Sequence, residues 1–160
     1  MNSGLLPQML ISATIALMLS LVSWRIAIVS GVVFVMASVA MLFVPLSPQF
    51  ADAALIGLWL TMIVTALMVY LPTAHWTRLA LPMSLNAGIW TGACAVLAGH
   101  HGGLLLGLLP LFILIPARLI VARNFTMIIK VVASWMIAIA TLSAFVSLVP
   151  TPGYKPDHMQ

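Results

Sequence analysis

Long apolar runs separated by short polar turns make up nearly all of this chain. Six runs occur, at about residues 5–22, 26–44, 53–71, 79–98, 102–121 and 127–149. A helix needs about 20 apolar residues to cross the roughly 30 Å hydrocarbon core of a bilayer, and these runs approach or reach that length. The pattern predicts an all-α, polytopic integral membrane protein with about six transmembrane helices. We expect a single transmembrane domain over residues 1–149 and a polar, proline-rich tail over residues 150–160.

The fifth run departs from this regular pattern because prolines interrupt it. Its strictly apolar part, residues 104–115, contains Pro110 and is followed by Pro116. Extended to residues 102–121, the run has the length of a span, and Arg118 can then extend its charged head to the membrane interface. We therefore predict a kinked or tilted span. The alternative is a re-entrant segment, whose irregular backbone at membrane depth would need protein cover.

Basic residues alternate from turn to turn. The first, third and fifth turns hold them and the second and fourth turns hold none: Arg25, then Arg78, then Arg118, Arg123 and Lys130. Lysine and arginine concentrate in the cytoplasmic loops of membrane proteins. The alternation therefore predicts three antiparallel hairpins that each turn on the cytoplasmic side, so that both termini are non-cytoplasmic. Lys155, in the tail, is the exception.

The composition supports a membrane location. Hydrophobic residues make up 64% of the 160 positions, charged residues make up 5%, and the mean hydropathy is +1.24. Such a chain is too apolar for a soluble domain with a hydrated surface. The net charge of +4 comes from single residues spread between apolar runs, which fits membrane orientation and predicts no nucleic-acid partner. The expected location is the bacterial inner (cytoplasmic) membrane.

No ionisable side chain lies well inside a predicted span. Asp52 lies at a span boundary, and Arg118 and Lys130 lie near the predicted inner surface. Proton- and ion-coupled transport needs such groups inside the membrane, and hydrolytic or transfer chemistry needs a nucleophile with a base or paired carboxylates. We therefore predict no catalytic residues and expect a non-catalytic accessory or structural subunit. It would pack by its helices within a larger membrane complex, with the lipid bilayer and other membrane subunits, or further copies of itself, as partners.

A second function hypothesis comes from a different class. The same close helix packing fits a small oligomeric transporter or channel for a metal ion or an uncharged solute. Stoichiometric partners after mild purification would favour the accessory subunit. A lone homo-oligomer that conducts an ion or solute would favour the transporter.

The predicted outer face collects imidazole and carboxylate groups. His100 and His101 lie in the glycine-rich turn at residues 99–103, and Asp157 and His158 lie in the tail. These ligands suit zinc, copper or nickel, so the four residues form a candidate metal site. Adjacent histidines need a third ligand fixed nearby, and a flexible tail is a poor place for a preformed site. A solvated turn and tail is therefore the favoured interpretation, and no cofactor is predicted beyond this metal ion.

The third turn offers a candidate site at the inner face. His75, Trp76 and Arg78 combine an imidazole, an aromatic ring and a cation at headgroup depth, a chemistry that suits a quinone head or a lipid phosphate. The same residue types form ordinary interfacial anchors, which basic turns and the aromatic belt produce in membrane proteins. We favour the anchor and keep headgroup binding as the alternative.

The fourth run carries small residues at four-residue spacing. Ser84, Gly88 and Gly92 share one helical face, and this pattern lets helix backbones approach closely in lipid. Asn86 lies in the same run, where its amide is costly in hydrocarbon unless it is hydrogen-bonded. We predict that these four residues pack the fourth helix against its neighbours.

Overall fold

A computed structural model describes residues 5–99, 107–123 and 125–148 of the chain, and within these ranges it is helical and contains no strand. The α-helices are α1 Leu5–Ser20, α2 Trp24–Met41, α3 Ala51–Met68, α4 Thr73–Leu97, α5 Leu114–Ala122 and α6 Thr126–Leu148. Two short 3₁₀ helices lead into α3 and α5: Pro48–Phe50 and Leu109–Ile113.

Four helices in the described ranges are long and apolar enough to cross a membrane, as expected for a membrane protein. They are Trp24–Met41, Pro48–Met68, His75–Leu97 and Thr126–Val146. Two further apolar helices, Leu6–Ser20 and Leu109–Ala122, are shorter. At 1.5 Å per residue, the 16 residues of α1 extend about 24 Å, which is less than the roughly 30 Å hydrocarbon core.

Proline and glycine mark several helix limits. α2 ends shortly before Pro45, Pro48 opens the 3₁₀ helix that leads into α3, and Pro72 is the N-cap residue of α4. Proline suits such positions because it fixes φ near −65° and has no N–H to donate. Beyond the end of α4, Gly99 has a φ of +66°, the left-handed conformation in which glycine commonly terminates helices.

α1 lies at the centre of the bundle. Every residue from Ile11 to Ser20 is buried, and α1 packs against each of the other helices. Its hydroxyl groups bond to the helix's own carbonyls: Ser12 Oγ donates to Gln8 O at 2.9 Å, and Thr14 Oγ1 donates to Leu10 O at 2.8 Å. With these two hydroxyls bonded within the helix, most of α1 can be surrounded by apolar neighbours.

α2 and α4 run in the same direction with their backbones in contact. A Cβ added to Gly88 would lie 2.5 Å from Phe34 O, and one added to Gly92 would meet Ser38 O. The residue numbers rise together along both helices, so the helices are parallel. Between two parallel helices the chain has to return to the end of the bundle at which the first helix began, and α3 makes this return.

α3 supplies that return segment and runs opposite to α4. Asn86 Nδ2 donates to Thr61 Oγ1 at 2.9 Å; one turn later in α4 and one turn earlier in α3, the Trp90 ring lies 2.7 Å from where a Cβ on Gly57 would be. One residue number rises as the other falls, which is the signature of antiparallel helices. α3 also packs against α6 on its other side.

The fifth run lies along α1 and in the same direction. A Cβ on Gly107 would lie 3.0 Å from Gln8 Cβ near the start of α1, and Arg118 donates to the carbonyl of Val22, just beyond its end. Residues 107–122 are helical throughout, with the 3₁₀ segment around Pro110 giving the irregular stretch that the prolines predict. Residues 102–106, which the sequence assigns to the start of this span, lie outside the described residues.

Candidate functional site at the basic end

One end of the bundle gathers several of the chain's turns. Leu17, Val69, Ala117, Ile129 and Ala133 form a buried apolar cluster there. It places the ends of α1, α3 and α5 beside the start of α6. Every described lysine and arginine lies near this end, which we term the basic end: Arg25, Arg78, Arg118, Arg123 and Lys130. The described carboxylate, Asp52, lies at the opposite end in the first turn of α3.

Arg118 joins α5 to the turn between α1 and α2. Its Nη1 donates to Val22 O at 2.9 Å, and its guanidinium carbon lies 5.1 Å from the centre of the Trp24 ring. Carbonyls at a helix end have no partner within the helix, so a charged donor stabilises them. The cation–π contact adds to this attraction. The half-buried Arg118 therefore links α5 to the turn between α1 and α2, in addition to carrying a charge near the membrane interface.

Trp76 plays a similar part in the turn between α3 and α4. Its indole Nε1 donates to Met68 O at 2.9 Å, at the last residue of α3, and the side chain is half-buried. His75 and Arg78, which the sequence groups with Trp76 in the candidate headgroup site, are both exposed. Trp76 is therefore turned towards α3, whereas the imidazole and the guanidinium lie on the surface.

A cavity of about 410 Å³ adjoins Trp76 at the basic end, lined in part by Tyr70, Thr126 and Lys130. Tyr70 Oη donates to Lys130 O at 2.7 Å, which joins the end of α3 to the first turns of α6. The Trp76 indole and Tyr70 hydroxyl are engaged with backbone carbonyls, whereas Lys130 is exposed at the rim. A cation beside aromatic rings suits an anionic headgroup at the membrane interface.

The candidate metal ligands His100, His101, Asp157 and His158 lie outside the described residues. Within the described ranges, no group of three or more His, Cys, Asp or Glu side chains is placed to hold a metal ion. At the non-basic end a cavity of about 270 Å³ brings Asp52 near Cys94, with apolar residues around them. The metal site therefore stays a prediction from the sequence.

The predicted packing residues of α4 lie in two different contacts. Gly88 and Gly92 face α2, where the nearest side-chain atoms are Cβ of Ala37 and Cβ of Met41. Asn86 faces α3 and donates to Thr61. Ser84 is fully buried, and its Oγ has no hydrogen-bond partner in the part of the chain that the structure describes.

Two polar features were missed by the sequence analysis. Thr61, the partner of Asn86, is one of several hydroxyl residues in apolar runs, and nothing in its spacing distinguishes it. Gln8 is 2% exposed, and its Oε1 has no partner among the described residues. The signal for Gln8 was available, because an amide within the first apolar run must be buried in either lipid or protein.

No protein-family model matches this chain, and no curated protein or solved structure matches it either. Its function has therefore to be argued from the geometry described above. That geometry consists of helix-to-helix bonds, a cationic end and apolar outer faces.

Proposed function

We propose that this protein is a non-catalytic subunit of a larger membrane assembly and that it contacts its partner through the outer face of α6. The observation that carries the proposal is the division of α6 into two faces. Ile129, Ala133 and Ala140 are buried against the bundle. The opposite face is exposed along about five turns and holds large apolar residues: Ile128, Val131, Trp135, Ile139, Leu142 and Val146.

Trp135 favours a protein partner over lipid on this face. In membrane proteins tryptophan concentrates at the two interfaces. Trp135 instead lies about 14 Å along the 23-residue α6 from its start, near the middle of the helix, and is 70% exposed. Large aromatic residues are enriched at protein contacts, where they supply much of the binding energy. A partner helix packed on this stripe would account for both the residue type and its depth.

The polar groups inside the bundle support packing over transport. Ser38 and Thr91 donate to carbonyls of their own helices at 2.8 Å, and Asn86 donates to Thr61. Ion pathways through membranes are marked by ionisable side chains in the interior. Here the described cations are at the basic end and Asp52 is at the opposite end.

One feature favours the alternative, a small oligomeric transporter or channel for a metal ion or an uncharged solute. Ser30 Oγ, Thr65 Oγ1 and Ser84 Oγ are buried without a hydrogen-bond partner in the described part of the chain. Buried hydroxyls are normally satisfied, and a passing solute or bound water would satisfy these. The alternative therefore requires a polar route past these three residues.

The proposal includes six spans arranged as three hairpins. The contacts of the fifth run support its crossing the membrane, because it extends from the level of Gln8 to the level of Val22 and so covers the length of α1. A re-entrant segment would return to the end at which it entered. The lysines and arginines at the basic end support a cytoplasmic position for that end, with both termini on the other side of a bacterial inner membrane.

The subunit proposal is tested by purifying the protein in mild detergent and identifying stoichiometric partners by mass analysis. We expect a distinct membrane protein to accompany the wild type and to be lost from the double variant Trp135→Ala, Leu142→Ala. Met36→Ala is the matched control, because Met36 is 64% exposed on α2. A lone homo-oligomer that carries ion or solute flux in vesicles would contradict the proposal and establish the alternative.

The arrangement of spans is tested with single cysteines in a Cys94→Ala background. His101→Cys and Lys155→Cys should react with an impermeant reagent from outside the cell, whereas Arg123→Cys should react only after the membrane is opened. If His101→Cys and Arg123→Cys are labelled from the same side, the fifth run is re-entrant.

A further inference from the structure

An apolar groove runs along the fifth helical segment, apart from the sites described above. Its volume is about 400 Å³. It is lined by Trp24 at the start of α2 and by apolar side chains of residues 108–115, among them Leu108, Leu111 and Ile115. α2 makes little direct contact with this segment, so the two helices leave the groove open between them on the outside of the bundle.

Trp24 connects this groove to a cation. The Arg118 guanidinium lies over the Trp24 ring and donates from Nη1 to Val22 O. A guanidinium has five N–H donors in a planar fork that matches a phosphate group, so the bond to Val22 does not exhaust its capacity. The groove therefore has a half-buried arginine near its end at the basic end of the bundle and apolar walls along its length. This arrangement is complementary to an anionic phospholipid, which carries its charge at one end and its acyl chains at the other.

The distance along the segment from Arg118 to Leu108 is close to the length of an acyl chain in one leaflet of a bilayer. Between Arg118 and Leu108 the segment rises about 2.0 Å per residue through the 3₁₀ helix Leu109–Ile113 and about 1.5 Å per residue elsewhere, giving about 17 Å. Half of a 30 Å hydrocarbon core is about 15 Å. An acyl chain whose headgroup lies at Arg118 would therefore extend along the groove as far as Leu108.

We propose that this groove binds one anionic phospholipid from the leaflet at the basic end, with an acyl chain along residues 108–115 and the phosphate at Arg118. Acyl chains gain little hydrophobic free energy by leaving other lipid chains, so the groove supplies shape and Arg118 supplies the preference for negative charge. The proposal requires only that the protein lies in a membrane and is independent of the proposed subunit function.

The charge preference is tested with the full-length protein in mild detergent by native mass spectrometry. Equal amounts of phosphatidylglycerol and phosphatidylcholine with identical acyl chains serve as probes. We expect one bound phosphatidylglycerol in preference to phosphatidylcholine, and Arg118→Gln should reduce that preference roughly fivefold. Arg78→Gln is the control, because Arg78 is an exposed cation at the same end and does not line the groove. Equal retention of both lipids by the wild type would overturn the proposal.

A second pair of variants tests the groove itself and leaves the bond from Arg118 to Val22 intact. Ile115 and Leu119 are 57% and 62% exposed on the same segment, but only Ile115 lines the groove. Ile115→Trp should fill the groove and eliminate the bound lipid, whereas Leu119→Trp should retain it. Equal effects of the two variants would overturn the proposal, as would complete displacement of the lipid by millimolar inorganic phosphate, which would show that the headgroup alone binds.

Discussion

The α2–α4 contact and the α3–α6 contact both join long apolar helices, but the first brings two backbones together and the second does not depend on glycine. At Gly88 the α4 backbone lies against the Phe34 carbonyl of α2. α6 buries Ile129, Ala133 and Ala140 against the bundle and exposes large apolar side chains on its opposite face. Apolar surface alone associates weakly in lipid, so close approach and hydrogen bonds decide which helices stay together. α2–α4 is therefore a close internal contact, whereas α6 keeps an exposed apolar face.

The largest effect is expected from Gly88→Ala. The added Cβ would lie 2.5 Å from Phe34 O and 2.7 Å from Ala37 Cβ, and neither atom can move without shifting α2. Overpacking of this kind typically costs about 1–3 kcal/mol. The free energy of unfolding, measured by SDS titration in mixed micelles with tryptophan fluorescence, should fall by that amount.

Gly31→Ala is the matched control for this prediction. Gly31 lies in α2, but its added Cβ would meet only Leu19 Cδ1 at 3.9 Å, an ordinary van der Waals distance. This variant should unfold like the wild type or be slightly more stable. Equal destabilisation by the two alanines would show that the loss does not depend on the short distance between the α2 and α4 backbones.

The next effect concerns the hydrogen bond between α3 and α4. Thr61→Val and Asn86→Leu each remove one partner of the 2.9 Å bond, and the double variant removes both. Measured interhelical hydrogen bonds in membranes average about 0.6 kcal/mol, so the coupling energy from the double-mutant cycle should be of that size. A coupling energy near zero would mean that the bond does not help to hold α4 in place, which would leave the close backbone contact with α2. A coupling energy larger than the loss caused by Gly88→Ala would mean that the hydrogen bond contributes more than that contact.

A smaller effect is expected at the end of the α3–α6 contact. Tyr70→Phe removes the donor to Lys130 O, but Tyr70 is 47% exposed, and water or lipid headgroups can replace the lost bond. The free energy of unfolding should change by less than about 0.6 kcal/mol. A loss equal to that of Gly88→Ala would mean that α6 is held as firmly as α2 and α4, and the contrast between the two contacts would disappear.

The limits of the helices are predicted from the sequence only in part, because polar residues can lie either in a turn or in the first turns of a helix. Pro72 and Gly99 mark the limits of α4 in the sequence, yet the helix begins at Thr73, well before the apolar run that starts near residue 79. The polar residues from Thr73 to Arg78 are helical because the first turns of a helix can be polar where they lie at the membrane interface. Hydropathy therefore detects the membrane-embedded part of a helix and not its full length.

Burial was harder to predict than helical structure. α1 is enclosed and α6 is half exposed, but their sequences are similarly apolar because lipid and protein present the same environment to an apolar side chain. The small-residue spacing at Gly88 and Gly92 could be recognised, since close approach is its common use in membranes. The helix it faces could not, because Phe34 and Ala37 are unremarkable in an apolar run.

The smallest effect on stability is expected on the exposed outer face of α6. Trp135 and Leu142 are 70% and 67% exposed, so Trp135→Ala with Leu142→Ala should change the free energy of unfolding by no more than about 0.5 kcal/mol in detergent. If that stripe contacts a partner, the same variant loses the partner during purification while its own fold is intact. Loss of stability together with the partner would instead place the two side chains in the protein's own packing. If the double variant still co-purifies with the partner, the exposed face of α6 contacts lipid. The α2–α4 and α3–α6 contacts would then differ only in how closely their helices pack.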